Sequence, residues 1–278
     1  MIYELNTEGQ RPPRMLRRLL GGALSATVLG GLIVTFIPDP RVIVTDFEDQ
    51  KEFQKDWLVD SDPSCRITLS SSDVVAGGRA LKVQAPEGSR CEIVPRVFGP
   101  LAYKFLREPF HEERVYSFSV LAQPAAAGES DDLRENTVIA QWHASPDPYL
   151  DDGTARGPPL ALRIHDGKWG ITYGWDSNPM SKSGYLANNW QWVGALDTGS
   201  WVDWEFQVTW SYQEDGLVKV FKDRQLVFRR EGPNAYRDLR GVYMKIGVYH
   251  PFANTTIFLD RLVVRGRADV MGDELLTP

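Results

Sequence analysis

Three segments of the sequence place polar side chains two or four residues apart, a spacing that puts them on one face of a β-strand. These pairs are Arg90 with Glu92, Gln141 with His143, and Lys245 with Tyr249. Together they supply cations, a carboxylate, a carboxamide, an imidazole and a phenol, the groups needed to neutralise an anion and to transfer a proton. One such pair is ordinary on a half-exposed strand. Three of them predict a binding site on one face of a sheet.

The segment Tyr243–Tyr249 carries two different surfaces when its sequence is divided with a period of two. Its apolar face consists of Val242, Met244, Ile246 and Val248. The opposite face consists of Tyr243, Lys245, Gly247 and Tyr249, with the cation and the second phenol about 13 Å apart along a strand. We expect Gly247, which has no side chain, to leave room for a ligand between them.

From Arg41 onward the sequence shows short alternating segments bounded by Gly and Pro, with almost no helical periodicity. The segments predicted to be strands are 42–47, 79–84, 90–97, 115–122, 137–144, 160–164, 169–174, 204–210, 217–221, 225–229, 241–249 and 256–264. Residues 176–189 are predicted to form a long connection. The series predicts an all-β fold, an antiparallel β-sandwich of jelly-roll, concanavalin A-like type, over residues 41–268, followed by a tail at 269–278.

The charge of the chain excludes a general nucleic-acid binder. The formal net charge is −6, and the first 40 residues contribute four Arg against three acidic residues, so the remainder is slightly more acidic still. Binding a phosphate backbone requires a cationic surface. An anionic polymer could therefore bind only through a local cationic groove.

Residues 19–37 form a 19-residue segment without charge, long enough to span a bilayer. Four arginines precede it, so the positive-inside rule predicts a cytoplasmic segment at 1–18, a transmembrane helix at 19–37 and an extracytoplasmic domain in the periplasm or at the cell surface. The alternative is a cleaved signal peptide and a secreted domain, although no small-x-small site follows Ile37. Small residues at Gly22, Ala26 and Gly30 could support a homodimer through this helix.

Export to an oxidising compartment would allow the two cysteines, Cys65 and Cys91, to form a disulfide. The alternative is that both are reduced, buried thiols. No His/Asp/Glu cluster has the spacing of metal ligands, so no metal cofactor is predicted. A structural Ca²⁺ in the acidic loops is left open.

In this order, the motifs Arg90-Cys91-Glu92, Gln141-Trp142-His143 and Tyr243–Tyr249 resemble those of the jelly-roll polysaccharide lyases. That group includes heparin lyase I, glucuronan lyase and many alginate lyases, and the resemblance spans about Thr45 to Arg265. Alginate lyases have a second Arg soon after the Glu, and Tyr-Asn-Gln at the end of the last motif. Here Ile93-Val94-Pro95 precedes Arg96, and Tyr249 is followed by His250 and Pro251, which favours the heparin lyase I and glucuronan lyase side.

The resemblance implies β-elimination on an anionic, uronic-acid-containing polysaccharide. Such an enzyme removes the C5 proton next to a carboxylate, so the carboxylate must be neutralised while an acid protonates the leaving oxygen. Gln141 and Arg90 would bind the carboxylate. Tyr249, easier to ionise beside cations, would be the acid, with either Tyr249 or His143 as the base.

The remaining residues receive supporting roles. Lys245 would bind substrate anions and bias Tyr249 toward ionisation. Tyr243 and Arg163 would extend the substrate site. Glu92 would orient Arg90. A glycoside hydrolase would need two carboxylates flanking the bond, and no strand carries that pattern. The alternative in another class is a non-catalytic, lectin-like glycan-binding jelly roll on the membrane, because fold alone does not determine function.

Overall fold

The computed structural model describes residues 43–95, 108–123, 137–144, 157–165, 167–179, 187–238, 241–251 and 253–266, together with the backbone of 28–29 and 32–33. The chain divides into two compact units, Met1–Ile37 and Pro38–Pro278. In the first unit, strand β1 (Val28–Leu29) pairs antiparallel with strand β2 (Leu32–Ile33).

These four residues lie within the segment predicted to be a transmembrane helix, and at these four positions the backbone is extended. Leu29 pairs with Leu32, and the intervening sequence Gly30-Gly31 favours a two-residue hairpin. The rest of segment 19–37, like residues 1–18 and the predicted tail 269–278, lies outside the described residues. Within the described part of the chain, no helix is both long and apolar enough to cross a bilayer.

The second unit contains one short helix and fifteen described strands. In chain order they are β3 (Ile43–Thr45), α1 (Gln50–Asp56), β4 (Trp57–Ser61), β5 (Arg66–Ser70), β6 (Ala80–Ala85), β7 (Arg90–Pro95), β8 (Glu113–Gln123), β9 (Thr137–His143), β10 (Leu160–His165), β11 (Lys168–Trp175), β12 (Ala187–Ala195), β13 (Trp201–Thr209), β14 (Leu217–Lys222), β15 (Gln225–Glu231), β16 (Tyr243–Tyr249) and β17 (Thr255–Gly266).

The strands form two antiparallel sheets. One has the order β12-β11-β10-β9-β16-β7-β4, and the other has the order β15-β14-β13-β8-β17-β6-β5, with β3 paired to β17. Strands that are neighbours in the sheet, such as β9 and β16, are far apart in sequence, as a jelly roll requires. The predicted all-β antiparallel sandwich is confirmed.

The core lies between the two sheets and is rich in aromatic side chains. On β13, buried Trp204, Phe206 and Val208 alternate with partly exposed residues, which is the half-buried pattern expected from the sequence. Trp142 of β9 reaches across to Phe206, with ring centroids 4.7 Å apart. Truncating such a side chain to alanine typically costs about 3–5 kcal/mol. The inward residues of β9 and β16 therefore anchor the strands that carry the candidate site on their other face.

Helix α1 and strands β4, β5 and β12 were not predicted from the sequence. Helix α1 buries only Phe53, so it has no apolar stripe, and it is held by Asp49, whose side chain accepts hydrogen bonds from the amides of Lys51 (2.6 Å) and Glu52 (3.2 Å). Strand β12 occupies the end of the segment predicted to be a connection. As the edge strand of its sheet it buries little, so its sequence alternates weakly.

A disulfide joins Cys65 to Cys91, with their Cα atoms 5.6 Å apart. Cys91 lies on β7 and is fully buried, whereas Cys65 lies just before β5. The bond therefore ties the β4–β5 connection, at one edge of the sandwich, to a strand that carries site residues. This resolves the alternative left open by the sequence in favour of the disulfide.

Reduction should destabilise the domain measurably. The bond closes a loop of 26 residues, and the loss of that constraint on the unfolded chain is expected to cost roughly 3 kcal/mol. The measurement is a urea unfolding curve of residues 41–278 with and without dithiothreitol. The matched control is Cys65→Ser/Cys91→Ser, which should show the lower stability in both buffers. Overlapping curves for the native domain would contradict the prediction.

Candidate active site

The register of three strands brings the sequence-predicted residues onto one surface. On β9 and β16, His143 lies opposite Tyr243 and Gln141 lies opposite Lys245. On β16 and β7, Gly247 lies opposite Glu92 and Tyr249 lies opposite Arg90. Directly opposed residues of an antiparallel pair share a face. All of these residues therefore lie on the face of the seven-stranded sheet that points away from the core, called here the outer face.

Asp60 of β4 joins this surface and was missed by the sequence reasoning. It lies opposite Glu92, and its carboxylate accepts a hydrogen bond from Nζ of Lys245 at 2.6 Å. The same Oδ2 atom is 3.5 Å from Nη1 of Arg90. Asp60 was missed because β4 itself was not recognised as a strand. It holds the two cations of β7 and β16 together.

Glu92 is the most buried charged group of the site, with 1% of its surface exposed. Its Oε1 accepts a hydrogen bond from Nε2 of Gln141 at 2.5 Å, and its Oε2 is 3.3 Å from Nη1 of Arg90. Burial raises the pKa of Glu92, against the opposing effects of Gln141, Lys245 and Arg90. The contact with Arg90 is the one expected of a residue that orients it.

The pKa values of Asp60 and Arg90 both shift in the direction that favours their charged forms. Burial opposes ionisation of Asp60, but the hydrogen bond and charge of Lys245, together with Arg90, lower the pKa of Asp60 below its ordinary value. Burial likewise opposes the charge on Arg90, yet Glu92, Asp60 and Tyr249 raise the pKa of Arg90. Asp60, Arg90 and Lys245 are thus a mutually supporting charged set around the carboxyl of Glu92.

The position of Lys245 differs from the one expected. Its side chain is almost fully buried, and Nζ is bound to Asp60. On the same strand, Tyr249 lies four residues away, beyond Gly247. We expected Lys245 to meet substrate anions and to influence Tyr249. The contacts instead make it a buried counter-charge, because an ammonium group removed from water needs a paired carboxylate.

Gly247 has a structural reason different from the one expected. Its φ is +143°, and a Cβ added there would lie 2.2 Å from the carbonyl oxygen of Cys91. The direction in which a side chain would point is filled by the backbone of β7. The glycine is therefore required by the close approach of two strands and not by room for a ligand.

Arg90 and Arg163 stand on either side of Tyr249 across the strands. The guanidinium carbon of Arg90 is 4.3 Å from the centroid of the Tyr249 ring. Tyr249 lies opposite Val138 of β9, and Val138 lies opposite Arg163 of β10. Arg163 also donates from Nε to the hydroxyl of Thr172 at 2.8 Å. The four residues Arg163, Val138, Tyr249 and Arg90 thus form one row on the outer face.

A β-bulge on β9 is the reason that this row exists. Between Leu162 and Arg163 of β10 the register shifts by one residue, from Ala140 to Val138. Ile139 consequently packs in the core beside Ala140, where strict alternation predicted it on the outer face. The bulge turns Val138 outward, so Arg163 is aligned with Tyr249.

His143 and Tyr243 form a second group at the other end of the strands. Their ring centroids are 5.4 Å apart. Nδ1 of His143 is 2.5 Å from the carbonyl oxygen of Ala144. A carbonyl only accepts, so Nδ1 carries the hydrogen and Nε2 is the acceptor nitrogen of the neutral ring. Tyr243 and Tyr249 are six residues apart, about 20 Å of strand.

Within the ranges that the structure describes, no group of three or more His, Cys, Asp or Glu side chains is arranged to hold a metal ion. The acidic connection at 124–136 lies outside those ranges.

A two-sheet sandwich that carries charged, amide and phenolic side chains on one sheet face is compatible with both carbohydrate binding and carbohydrate cleavage. The comparisons decide between the two. A model of the polysaccharide lyase family matches residues 45–263, and the chain belongs to this family. The protein is therefore a polysaccharide lyase enzyme, as the motifs predicted, and the lectin-like alternative is set aside. No curated protein matches the chain significantly in sequence.

The chain is similar to several solved structures, and the first of them supports the fold. An endo-β-1,4-glucuronan lyase from the fungus Trichoderma reesei is similar with a TM-score of 0.59 and 17% identity, over 75% of this chain and 90% of that one. The cellulose-induced protein Cip1 gives a TM-score of 0.48 and 15% identity, over 80% and 96%. The family 7 alginate lyase A1-II′ gives 0.49 and 16%, over 71% and 82%.

The raised pKa of Glu92 predicts the sign of a stability difference. The unfolded chain releases this proton near the ordinary value of 4.5, and the folded protein releases it at higher pH. Between these two pH values, ionisation of Glu92 lowers the free energy of unfolding as the pH rises. Glu92→Gln removes this effect, so the stability of the variant minus that of the native protein should increase from pH 4.5 upward.

The measurement is the free energy of unfolding in urea at a series of pH values. The matched control is Glu87→Gln, which changes an exposed carboxyl in a turn and should give a difference that varies less with pH. A difference for Glu92→Gln that is constant or falls with pH would show that burial does not control this group.

Proposed function

We propose that the enzyme cleaves a uronic-acid-containing polysaccharide by β-elimination and leaves an unsaturated uronate at the new end. The observation that carries this proposal is the row of Arg163, Val138, Tyr249 and Arg90, in which a phenol stands between two guanidinium groups. A uronate sugar bears its carboxylate on C5, the carbon that loses a proton. The side chain nearest the carboxylate-binding arginines is therefore the one placed to act at C5.

The arginines suit the carboxylate. A guanidinium group presents planar paired donors that match a carboxylate, and it remains charged throughout the reaction. Arg90 is held by Glu92 and Asp60, so little entropy is lost when it binds an anion. Gln141 is buried, and its Nε2 donates to Glu92, so its assigned role is to hold the carboxyl group that orients Arg90.

Tyr249 then performs the proton transfers. As the phenolate it takes the C5 proton, the C5–H electrons form the C4–C5 double bond, and the C4–O bond breaks. The same hydroxyl returns its proton to the departing oxygen, which restores the phenolate. Atoms and charge balance without a cofactor. The guanidinium carbon of Arg90 lies 4.3 Å from the centroid of the Tyr249 ring, beside the group that exchanges protons with the substrate.

His143 lies opposite Tyr243, and six residues of strand, about 20 Å, separate Tyr243 from Tyr249. A sugar bound at Tyr249 therefore does not place its C5 proton at His143. When the C5 proton and the leaving oxygen lie on the same side of the sugar, Tyr249 reaches both, and His143 is assigned to binding a neighbouring sugar. Tyr243 lies beside His143 and is assigned to substrate binding there.

The fungal relative supports the choice of substrate class. Its name states that it is an endo-β-1,4-glucuronan lyase, so one enzyme of the same fold acts on a polyuronate. Glucuronan is therefore the first substrate to test, with alginate and heparin-type chains beside it.

Replacing Tyr249 by Phe should lower kcat by about 10²–10⁴-fold, because a positioned acid–base group typically contributes that much. The assay follows the absorbance of unsaturated uronate on each of the three polymers. Tyr212→Phe makes the same chemical change away from the outer face and should leave kcat unchanged. His143→Ala should raise KM and change kcat little, because His143 lies about 20 Å of strand from Tyr249. Full activity in Tyr249→Phe would overturn the assignment.

We also propose that residues 19–37 anchor the enzyme in a membrane, with the lyase domain outside the cytoplasm. The disulfide supports an oxidising location, since such bonds are rare in reducing compartments. A structural Ca²⁺ in the acidic loops and a homodimer through residues 19–37 stay predictions from the sequence.

Full-length protein, expressed with an epitope tag at residue 1, should sediment with membranes and resist carbonate extraction, and the tag should remain on the protein. A chain that begins at residue 41 should be soluble. Loss of the tag from a secreted, active domain would show a cleaved signal peptide instead.

A further inference from the structure

Three aromatic side chains form a cluster at the β12 edge of the outer face. Trp192 stacks on His165 with ring centroids 5.6 Å apart and an interplanar angle of 14°. Trp190 meets both rings edge-on, at 4.9 Å from Trp192 and 5.6 Å from His165. None of these residues belongs to the acid–base site. We call them the aromatic platform.

The platform is built to expose one indole ring. Trp192 is 40% exposed, whereas the other exposed large apolar residues of the described chain are the aliphatic Val44, Val59 and Leu226. A Cβ at Gly170 would lie 2.6 Å from the ring of Trp190, so glycine at this position lets Trp190 lie over β11 and support Trp192. An exposed tryptophan backed by two other rings is a rigid surface and not a loose side chain.

The platform continues the row that contains Tyr249. Trp192 lies opposite Gly170, and Gly170 lies opposite Arg163, which is followed in the same row by Val138 and Tyr249. Four strand intervals separate β12 from β16, which is about 19 Å at ordinary strand spacing. In this row, Gly170, over which Trp190 lies, separates Trp192 from Arg163, and Val138 separates Arg163 from Tyr249. A polymer lying across the strands would meet the arginines and the platform in succession.

The charge beside the platform matches an anionic sugar. Nζ of Lys168 lies 5.3 Å from the centroid of the Trp192 ring. The face of an indole ring carries negative electrostatic potential and attracts the C–H groups of a pyranose, while the ammonium that lies over this ring can bind a carboxylate. The pair offers both halves of a uronate: the apolar face of the ring and its acidic group.

We propose that Trp192 and Lys168 form a distal subsite for a uronate residue of the same polysaccharide, about four strands from Tyr249. This inference rests on the proposed function. The subsite binds substrate remote from the reacting bond, so it acts on long chains and not on the shortest chain that can be cleaved.

The test compares chain lengths. Trp192→Ala is expected to raise KM for the polymer about tenfold with kcat unchanged, in line with the loss of one buried aromatic contact. Lys168→Ala should raise it less, and the increase should shrink at high salt. Neither variant should alter KM for the shortest oligosaccharide that the enzyme cleaves. Trp192→Phe keeps an aromatic ring and should recover much of the affinity.

The matched control is Leu226→Ala, which removes an equally exposed apolar side chain from the other sheet and should change nothing. Equal losses on short and long substrates would overturn the proposal, since they would reflect a damaged fold or the acid–base site. An unchanged KM for the polymer in Trp192→Ala would also overturn it.

Polymer binding measured calorimetrically in the Tyr249→Phe background separates this inference from the proposed function. If the native enzyme produces no unsaturated uronate from any polymer, the proposed reaction fails. The distal subsite is nevertheless supported if Trp192→Ala weakens the binding of a polymer that the Tyr249→Phe enzyme binds by about tenfold. It is contradicted if the binding of that polymer is unchanged.

Discussion

The carboxyl of Glu92, buried on a sheet face that carries the chemistry, is the constraint on which the site depends. A charge removed from water costs several kcal/mol unless it is paired. Here the pairing partners come from three other positions in the sheet: Arg90 on the same strand, Gln141 on β9 and, through Asp60, Lys245 on β16. Each partner reaches Glu92 or Asp60 in only one register. A slip of one residue would turn every one of these side chains into the core.

The same pairing decides which groups are left for a substrate. Lys245 is satisfied by Asp60 and almost fully buried, so it adds charge balance and little direct contact. Arg90 keeps one face on the ring of Tyr249 while its Nη1 is held from behind by carboxylates. The result is a preorganised guanidinium group beside a phenol. Preorganisation of this kind is the main way in which an enzyme lowers the cost of developing charge.

The period-two pattern was sufficient to predict the sandwich and the shared face of most site residues, because a strand with one buried face has a single acceptable alternation. It failed where the backbone departs from that alternation. The bulge at Ile139 aligned Arg163 with Tyr249, and no sequence signal marks it. Gly247 was interpreted as space for a ligand because the close approach of the Cys91 carbonyl depends on the packing of two strands and cannot be seen in the sequence. Edge strands were also missed, and with them Asp60 and Trp192, since an edge strand buries too little to impose a pattern.

The row from Arg90 to Trp192 runs across the strands, so the twist of the sheet affects the shape of a polymer bound along it. Neighbouring strands are rotated by about 20–25° relative to one another, so the four intervals between β16 and β12 accumulate roughly 80–100° of twist. The phenol of Tyr249 and the indole of Trp192 therefore do not face the same way. A uronate chain bound to both in the proposed way would wind as it crosses the sheet. In that binding mode the twist of the sheet sets a requirement on the shape of the polymer, beside the charge requirement set by Arg90 and Arg163.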